Sequence, residues 1–119
     1  MAITWKALDD RGGVEGTGTQ TTTNAYVACL TWDCLHVPKK TIVLTETGGS
    51  NDIKYKVLVR ARIGGQQVED VQETTLSASG HAAIQYEYPW AEIEVQVKAA
   101  TGGSQGDLQI DCVGQSQAS

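Results

Sequence analysis

Asp52-Ile53-Lys54-Tyr55-Lys56-Val57-Leu58-Val59-Arg60-Ala61-Arg62-Ile63 changes side-chain character at nearly every step. Ile53, Tyr55, Val57, Val59, Ala61 and Ile63 fall on one side of the backbone, and Lys54, Lys56, Leu58, Arg60 and Arg62 on the other. That two-residue period belongs to a half-buried strand. It returns at Ile93, Val95, Val97 and Ala99 against Glu92, Glu94, Gln96 and Lys98, and again at Leu108, Ile110 and Cys112 against Gln109 and Asp111. No stretch has helical spacing, so the chain reads as all-β.

Working outward, strand candidates fall at about 25–32, 40–46, 52–63, 67–76, 81–88, 91–99 and 107–113. Turn residues separate them: Pro38-Lys39-Lys40, Gly48-Gly49-Ser50-Asn51, Gly64-Gly65, Ser77 to Gly80, Pro89, and Gly102-Gly103 with Gly106. About seven short strands at this spacing predict a single antiparallel β-sandwich or jelly roll. Ile63-Gly64-Gly65-Gln66 suits a tight hairpin, because two glycines accept the positive φ angles of a primed turn. Within 67–76 the apolar Val68, Val71 and Leu76 share no parity, which predicts a bulge near Glu69-Asp70 or an edge position.

The sandwich domain is thus assigned to residues 25–113, with 114–119 as a small polar tail outside it. Residues 1–24 are glycine- and threonine-rich and lack a period, so they read as an extended N-terminal arm or long loop. Ile3, Trp5 and Leu8 are poor residues to leave in water. An arm carrying them is expected to lie on something, either its own sandwich or a neighbouring subunit.

A chain of 119 residues suits one domain. Phe is absent, and the large rings are Trp5, Trp32, Trp90, Tyr26, Tyr55, Tyr86 and Tyr88, so the core must be chiefly Val, Ile, Leu and Ala. The formal net charge of -5 argues against nucleic acid as a partner, because phosphate neutralisation needs a basic footprint. It disfavours an anionic membrane for the same reason, and no apolar run approaches the roughly 18 residues of a membrane span. Met1-Ala2-Ile3-Thr4-Trp5-Lys6 lacks the regions of a signal peptide, so the chain is expected to stay in the cytoplasm until assembly. Cys29, Cys34 and Cys112 are then expected to be reduced and partly buried, with one intermolecular disulfide left open.

Candidate chemical sites are few. Cys29, Cys34, His36 and Cys112 have the ligand types of a zinc site, but four residues separate the first pair and their odd separation points them to opposite faces of a straight strand. Zinc would need a break near Asp33. Ser50, Ser77, Ser79 and Ser104 with His36 and His81 match no nucleophile arrangement. Glu92 and Glu94 share one strand face, as residues on any solvated face do. Gly13-Val14-Glu15-Gly16-Thr17-Gly18 fits no phosphate-binding fingerprint. No catalytic residue, metal or cofactor is assigned.

Two features suit binding. Lys54, Lys56, Arg60 and Arg62 form a basic stripe that either docks an acidic partner or pairs across the sheet with Glu92 and Glu94 or Glu69 and Glu73; the pairing is preferred. Tyr86-Glu87-Tyr88-Pro89-Trp90 concentrates aromatics, so Tyr86, Tyr88, Trp90 and Trp32 are candidates for sugar stacking in a carbohydrate-binding module. Tyr86 and Tyr88 also share the parity of Ala82 and Ile84, which makes them caps on the core.

The polar Gly/Thr arm, the strand 52–63 with its Gly-Gly turn, and Tyr88-Pro89-Trp90-Ala91-Glu92-Ile93-Glu94-Val95-Gln96-Val97-Lys98-Ala99 followed by Gly102-Gly103-Ser104-Gln105-Gly106-Asp107-Leu108-Gln109-Ile110 together resemble small virion structural proteins of tailed bacteriophages. The likeness is one of pattern over about residues 40–113. It implies a non-enzymatic protein of the virion: a capsid decoration (cement) protein on the major capsid protein, or else a neck, collar or tail accessory protein. It implies no cofactor, other virion proteins as partners, and a homo-oligomer. Repeated weak contacts multiply in an ordered shell, and Ile3, Trp5 and Leu8 are the arm's expected anchors.

Overall fold

The structure, a computed structural model, describes residues 3–6, 13–34, 39–62, 64–87 and 90–115. Among these lie nine strands: β1 (Ile3–Lys6), β2 (Gly13–Thr21), β3 (Val27–Asp33), β4 (Lys39–Glu46), β5 (Ile53–Arg60), β6 (Gln67–Leu76), β7 (His81–Tyr86), β8 (Glu92–Ala99) and β9 (Asp107–Gln115). They form a sheet of order β1-β3-β8-β5-β6 and a second of order β2-β9-β4-β7. From β2 onward every connection except β5 to β6 crosses between the sheets, and that winding, 3-8-5-6 against 2-9-4-7, is a jelly roll.

The alternating stretches line the space between the sheets. Ile53, Tyr55, Val57 and Val59 from β5, Ile93, Val95, Val97 and Ala99 from β8, and Leu30 and Trp32 from β3 face Ile42, Leu44, Ile84, Leu108, Ile110 and Cys112 of the second sheet. All are buried. The alternation in 52–63 is interrupted earlier than its sequence suggests: β5 ends at Arg60, and Ala61 and Arg62 are exposed. Six residues therefore separate the paired Arg60 and Gln67, in place of a two-residue hairpin, with Gly64 at φ 74° and the Gly65 N–H donating to the Arg62 carbonyl at 2.9 Å.

β6 has both expected irregularities. It lies at the sheet edge, and its register against β5 slips between the Thr74 and Val71 pairings and again between those of Val71 and Glu69. A third slip, between Ala28 and Leu30 opposite β8, falls at Cys29. An inserted residue there shifts the parity, which is why Cys29 and Cys34 are both buried despite their odd separation.

Two strands beyond the expected seven come from residues 1–24. The supposed arm lies on its own sandwich: β2 pairs antiparallel with β9 from Gly13↔Gln115 to Thr21↔Asp107, and β1 runs parallel to β3. Glycines and threonines conceal β2, since Gly16 and Gly18 supply no apolar beat for a period to show. At the other terminus β9 extends through Gln115, two residues past the expected boundary.

One end of the sandwich is closed by a buried carboxylate. Glu46, 1% exposed at the end of β4, accepts backbone N–H groups from Gly48 (3.0 Å), Gly49 (2.7 Å), Ser79 (3.0 Å) and Asp107 (3.1 Å). It thereby joins the turn after β4, the β6–β7 turn and the start of β9. Ser79 is held there at φ 61°, a left-handed conformation rare outside glycine. At Gly106 a Cβ would lie 2.6 Å from Ile53 Cγ2 and 3.2 Å from Glu46 Oε2, so the chain passes here only without a side chain. Buried Thr22 continues the plug, its hydroxyl accepting the Gly106 N–H at 2.8 Å and donating to Gln105 Oε1 at 2.9 Å.

Burial pushes the Glu46 carboxyl up, but the four N–H donors outweigh it and hold its pKa below the ordinary glutamate value. A depressed carboxylate contributes stability that is complete above the unfolded-state pKa of about 4.3 and is lost as pH falls through the native value. Glu46→Gln replaces one acceptor oxygen with a donor and is expected to cost about 2–3 kcal/mol at pH 7. Denaturation of both proteins between neutral and acid pH checks this: the gap should narrow below the glutamate range, and a gap constant across pH would remove the charge from the explanation.

Candidate partner-binding surfaces

The outer face of the first sheet carries the basic stripe. Register sets Lys54 directly opposite Lys98 and Arg60 opposite Glu92. Like charges facing each other are unfavourable, and the conflict is resolved from β6 by Glu73, whose carboxylate lies 3.2 Å from Lys54 Nζ and 3.6 Å from Lys98 Nζ. Glu73 also accepts the Tyr26 hydroxyl at 2.6 Å, which holds that ring 4.4 Å from Lys56 Nζ and 4.9 Å from Lys98 Nζ. The Tyr26 donation and the Lys54 hydrogen bond lower the Glu73 pKa.

Lys56 pairs with Glu69 at 3.8 Å, and Arg60 with Glu92 at 3.0 Å while also donating to the Gly65 carbonyl at 2.7 Å. The pairs with Glu69, Glu73 and Glu92 match the expected cross-strand pattern. Glu94 instead accepts from Gln96 on its own strand. Arg62, beyond the end of β5, is exposed. Of the other expected anchors, Ile3 and Trp5 are placed on β1 by their backbones, and Leu8 lies outside the described residues.

Among the described residues the aromatics do not line up as a platform. Trp32 is fully buried and Tyr86 is 6% exposed, its hydroxyl donating to Asp70 Oδ2 at 2.5 Å across the gap between the sheet edges. Trp90 is half-buried and meets Tyr86 edge-on at 6.4 Å. Tyr86 thus caps the core, as its parity suggests, and Tyr88 lies outside the described residues. Beside this cap, the Cys34 thiol donates to the Trp90 carbonyl at 3.4 Å, and Lys40 is buried, its pKa lowered by that burial.

The three cysteines are free and buried. Burial pushes the Cys29 and Cys34 thiols up to about 12, and it raises Cys112 as well. His36 lies outside the described residues, and among those described no cluster of three His, Cys, Asp or Glu side chains has the geometry of a metal site.

The second sheet presents a different outer face, one that reading for motifs overlooks. Thr41, Val43 and Thr45 are half-buried on β4, flanked in register by Val113, Asp111 and Gln109 on β9 and by Gln85, Ala83 and His81 on β7. Thr17 and Thr21 on β2 donate to Asp111 (2.6 Å) and Asp107 (2.9 Å). The result is a face of Thr, Val and Ala interspersed with Gln, His and Asp, without lysine or arginine at these positions. Val113 stands 49% exposed on it. The off-beat Thr41, Val43 and Thr45 between Ile42 and Leu44 were the available signal.

No protein-family model matches this chain, and no curated protein matches it by sequence. Its likeness to solved structures is one of fold. A protein of Bacillus endospore appendages, which are disulfide-linked pili, superposes with TM-score 0.57 at 8% identity, covering 88% of each chain. The Yersinia pseudotuberculosis-derived mitogen gives 0.56 at 13% identity over 83% of this chain and 84% of its own. The SPBc2 prophage-derived protein YomS gives 0.50 at 12% over 87% and 96%.

Two outcomes follow from these surfaces. Arg60→Gln should lower stability by about 1 kcal/mol or less, because the pair it breaks is partly solvated; a larger loss in a denaturant titration would mean the Gly65 loop depends on the guanidinium. A thiol reagent at pH 8 should label none of the three cysteines in the native protein and all of them in denaturant, and rapid native labelling would contradict their burial.

Proposed function

We propose that this chain is a non-enzymatic virion structural protein, a capsid decoration protein that stabilises the shell by binding the major capsid protein. The observation that carries the proposal is the division between its faces. Charged groups of the first sheet are paired among themselves, whereas on the outer face of the second sheet Thr41, Val43, Thr45, Ala83 and the exposed Val113 lie among Gln, His and Asp side chains, without Lys or Arg at these positions, a mixed surface suited to contact with another protein. The likeness in fold to a pilus protein and to a prophage-derived protein supports a structural role. Sugar stacking is disfavoured, because Trp32 and Tyr86 are core residues.

In this reading the N-terminal segment with Ile3, Trp5 and Leu8, although β1 is paired with β3, adds a second contact with the shell beside that of the second sheet, and Lys54, Lys56, Arg60 and Arg62 contribute to folding more than to docking. The protein acts in the virion as one of many copies, so that modest contacts add over an ordered lattice. No cofactor takes part.

Shells assembled from the major capsid protein of the virus that would carry this chain, and purified without it, should bind it at a fixed number per capsomer and melt at a higher temperature. Removal of residues 1–12 should weaken that binding while the isolated protein keeps a cooperative melt. Failure to bind shells at saturating concentration overturns the proposal, and binding to tails instead assigns the protein to the neck or tail.

A further inference from the structure

The described strands leave four sheet edges, β1 and β6 in the first sheet and β2 and β7 in the second. Edge strands are commonly guarded against pairing by bulges, charges, glycine or brevity. β6 has two register slips with Glu69, Asp70 and Glu73 beside them; β2 contains Gly13, Gly16 and Gly18; β1 is four residues long. β7 has no such guard. His81-Ala82-Ala83-Ile84-Gln85-Tyr86 runs in unbroken register from Thr45↔His81 to Lys40↔Tyr86, with no proline, glycine or carboxylate.

The direction of its backbone groups follows from one bond. The Glu46 N–H donates to the Gly80 carbonyl at 2.9 Å, one step beyond the Thr45↔His81 pairing. In an antiparallel ladder hydrogen-bonded and non-hydrogen-bonded pairs alternate. Ala82, Ile84 and Tyr86 therefore bond toward β4, and His81, Ala83 and Gln85 turn their N–H and C=O groups outward. No second strand among the described residues pairs with them.

We infer that two copies of this chain join through the β7 edges, antiparallel about a two-fold axis at Ala83, merging their second sheets into one eight-stranded sheet. The sequence of β7 is self-complementary in that register. Ala83 meets Ala83 of the second copy on the axis, His81 meets Gln85, and Ala82 meets Ile84. The outward-facing residues then pair with one another, which allows six backbone hydrogen bonds. No like charges oppose each other within the paired strands. A chain with net charge -5 approaches its own kind most easily where carboxylates are missing. An axis at His81 would place the Ser79 turn against the partner strand, and an axis at Gln85 would leave half of β7 unpaired.

Sedimentation velocity of the full chain from about 10 µM to 1 mM, together with amide exchange at matched concentrations, tests the inference. The expected result is a monomer–dimer equilibrium, with protection of the His81, Ala83 and Gln85 amides rising as dimer forms. Ala83→Lys, which sets two ammonium groups face to face, should weaken the dimer by about tenfold or more and leave the melting temperature of the dilute, monomeric chain unchanged. Ala83→Pro removes an outward N–H and should do the same. A monomer at every concentration, a dimer insensitive to Ala83→Lys, or a folding defect in Ala83→Pro would each overturn the inference. These measurements use the isolated chain, so their outcome is independent of shell binding.

Discussion

Four backbone N–H groups converging on the Glu46 carboxylate set the geometry on which one end of this fold depends. A jelly roll sends successive strands to opposite sheets, so its end loops must be fixed relative to one another although they are distant in sequence. Here one side chain fixes three of them. A buried carboxylate would cost several kcal/mol if its oxygens were not hydrogen-bonded, and this ties the positions of Gly49, Ser79 and Asp107 to one another. Ser79 adopts a left-handed backbone within that constraint. Gly106 is required because a Cβ there would strike Ile53 Cγ2, and a Cβ at Gly48 would press on the carboxylate at 2.9 Å.

The opposite end is closed by other means. Tyr86 reaches from the second sheet to Asp70 on the bulged edge of the first, and Trp90 packs edge-on against it. Between these ends the two outer faces differ in chemistry. The first sheet has long charged side chains, with Glu73 reconciling the opposed Lys54 and Lys98, while the second sets threonine, valine and alanine among Gln, His and the aspartates that accept from Thr17 and Thr21. A sandwich with one face of paired ions and one face of mixed small and polar groups is well suited to having a preferred side for contact.

The sequence made the core strands legible because their period is strict. Ile53 to Val59, Ile93 to Ala99 and Leu108 to Cys112 are buried on the beat, and the irregular 67–76 segment is a bulged edge strand. β2 escaped because glycine and threonine carry no amphipathic signal; its pairing with β9 depends on a partner more than eighty residues away along the chain. The parity of Cys29 and Cys34 misled for a related reason, since a bulge inserts a residue without marking it in the sequence. Pairing of the basic stripe was readable in outline, but not that Glu73 would serve two lysines, because its position follows from the slipped register of β6. Glu46 was invisible to motif reading. A lone glutamate at a strand end becomes a structural centre only when three loops meet there.

β9, the last strand, lies between β2 and β4 and completes the second sheet. During synthesis β4 can pair with β7, but β2 has no partner and β4 keeps one open edge until residues 107–115 have left the ribosome, so the second sheet closes only then. Such an order of events leaves β2 and β4 with unsatisfied edges in the cell for the time that translation takes. It makes a product terminated before residue 107 prone to aggregation, even where every residue it contains is native.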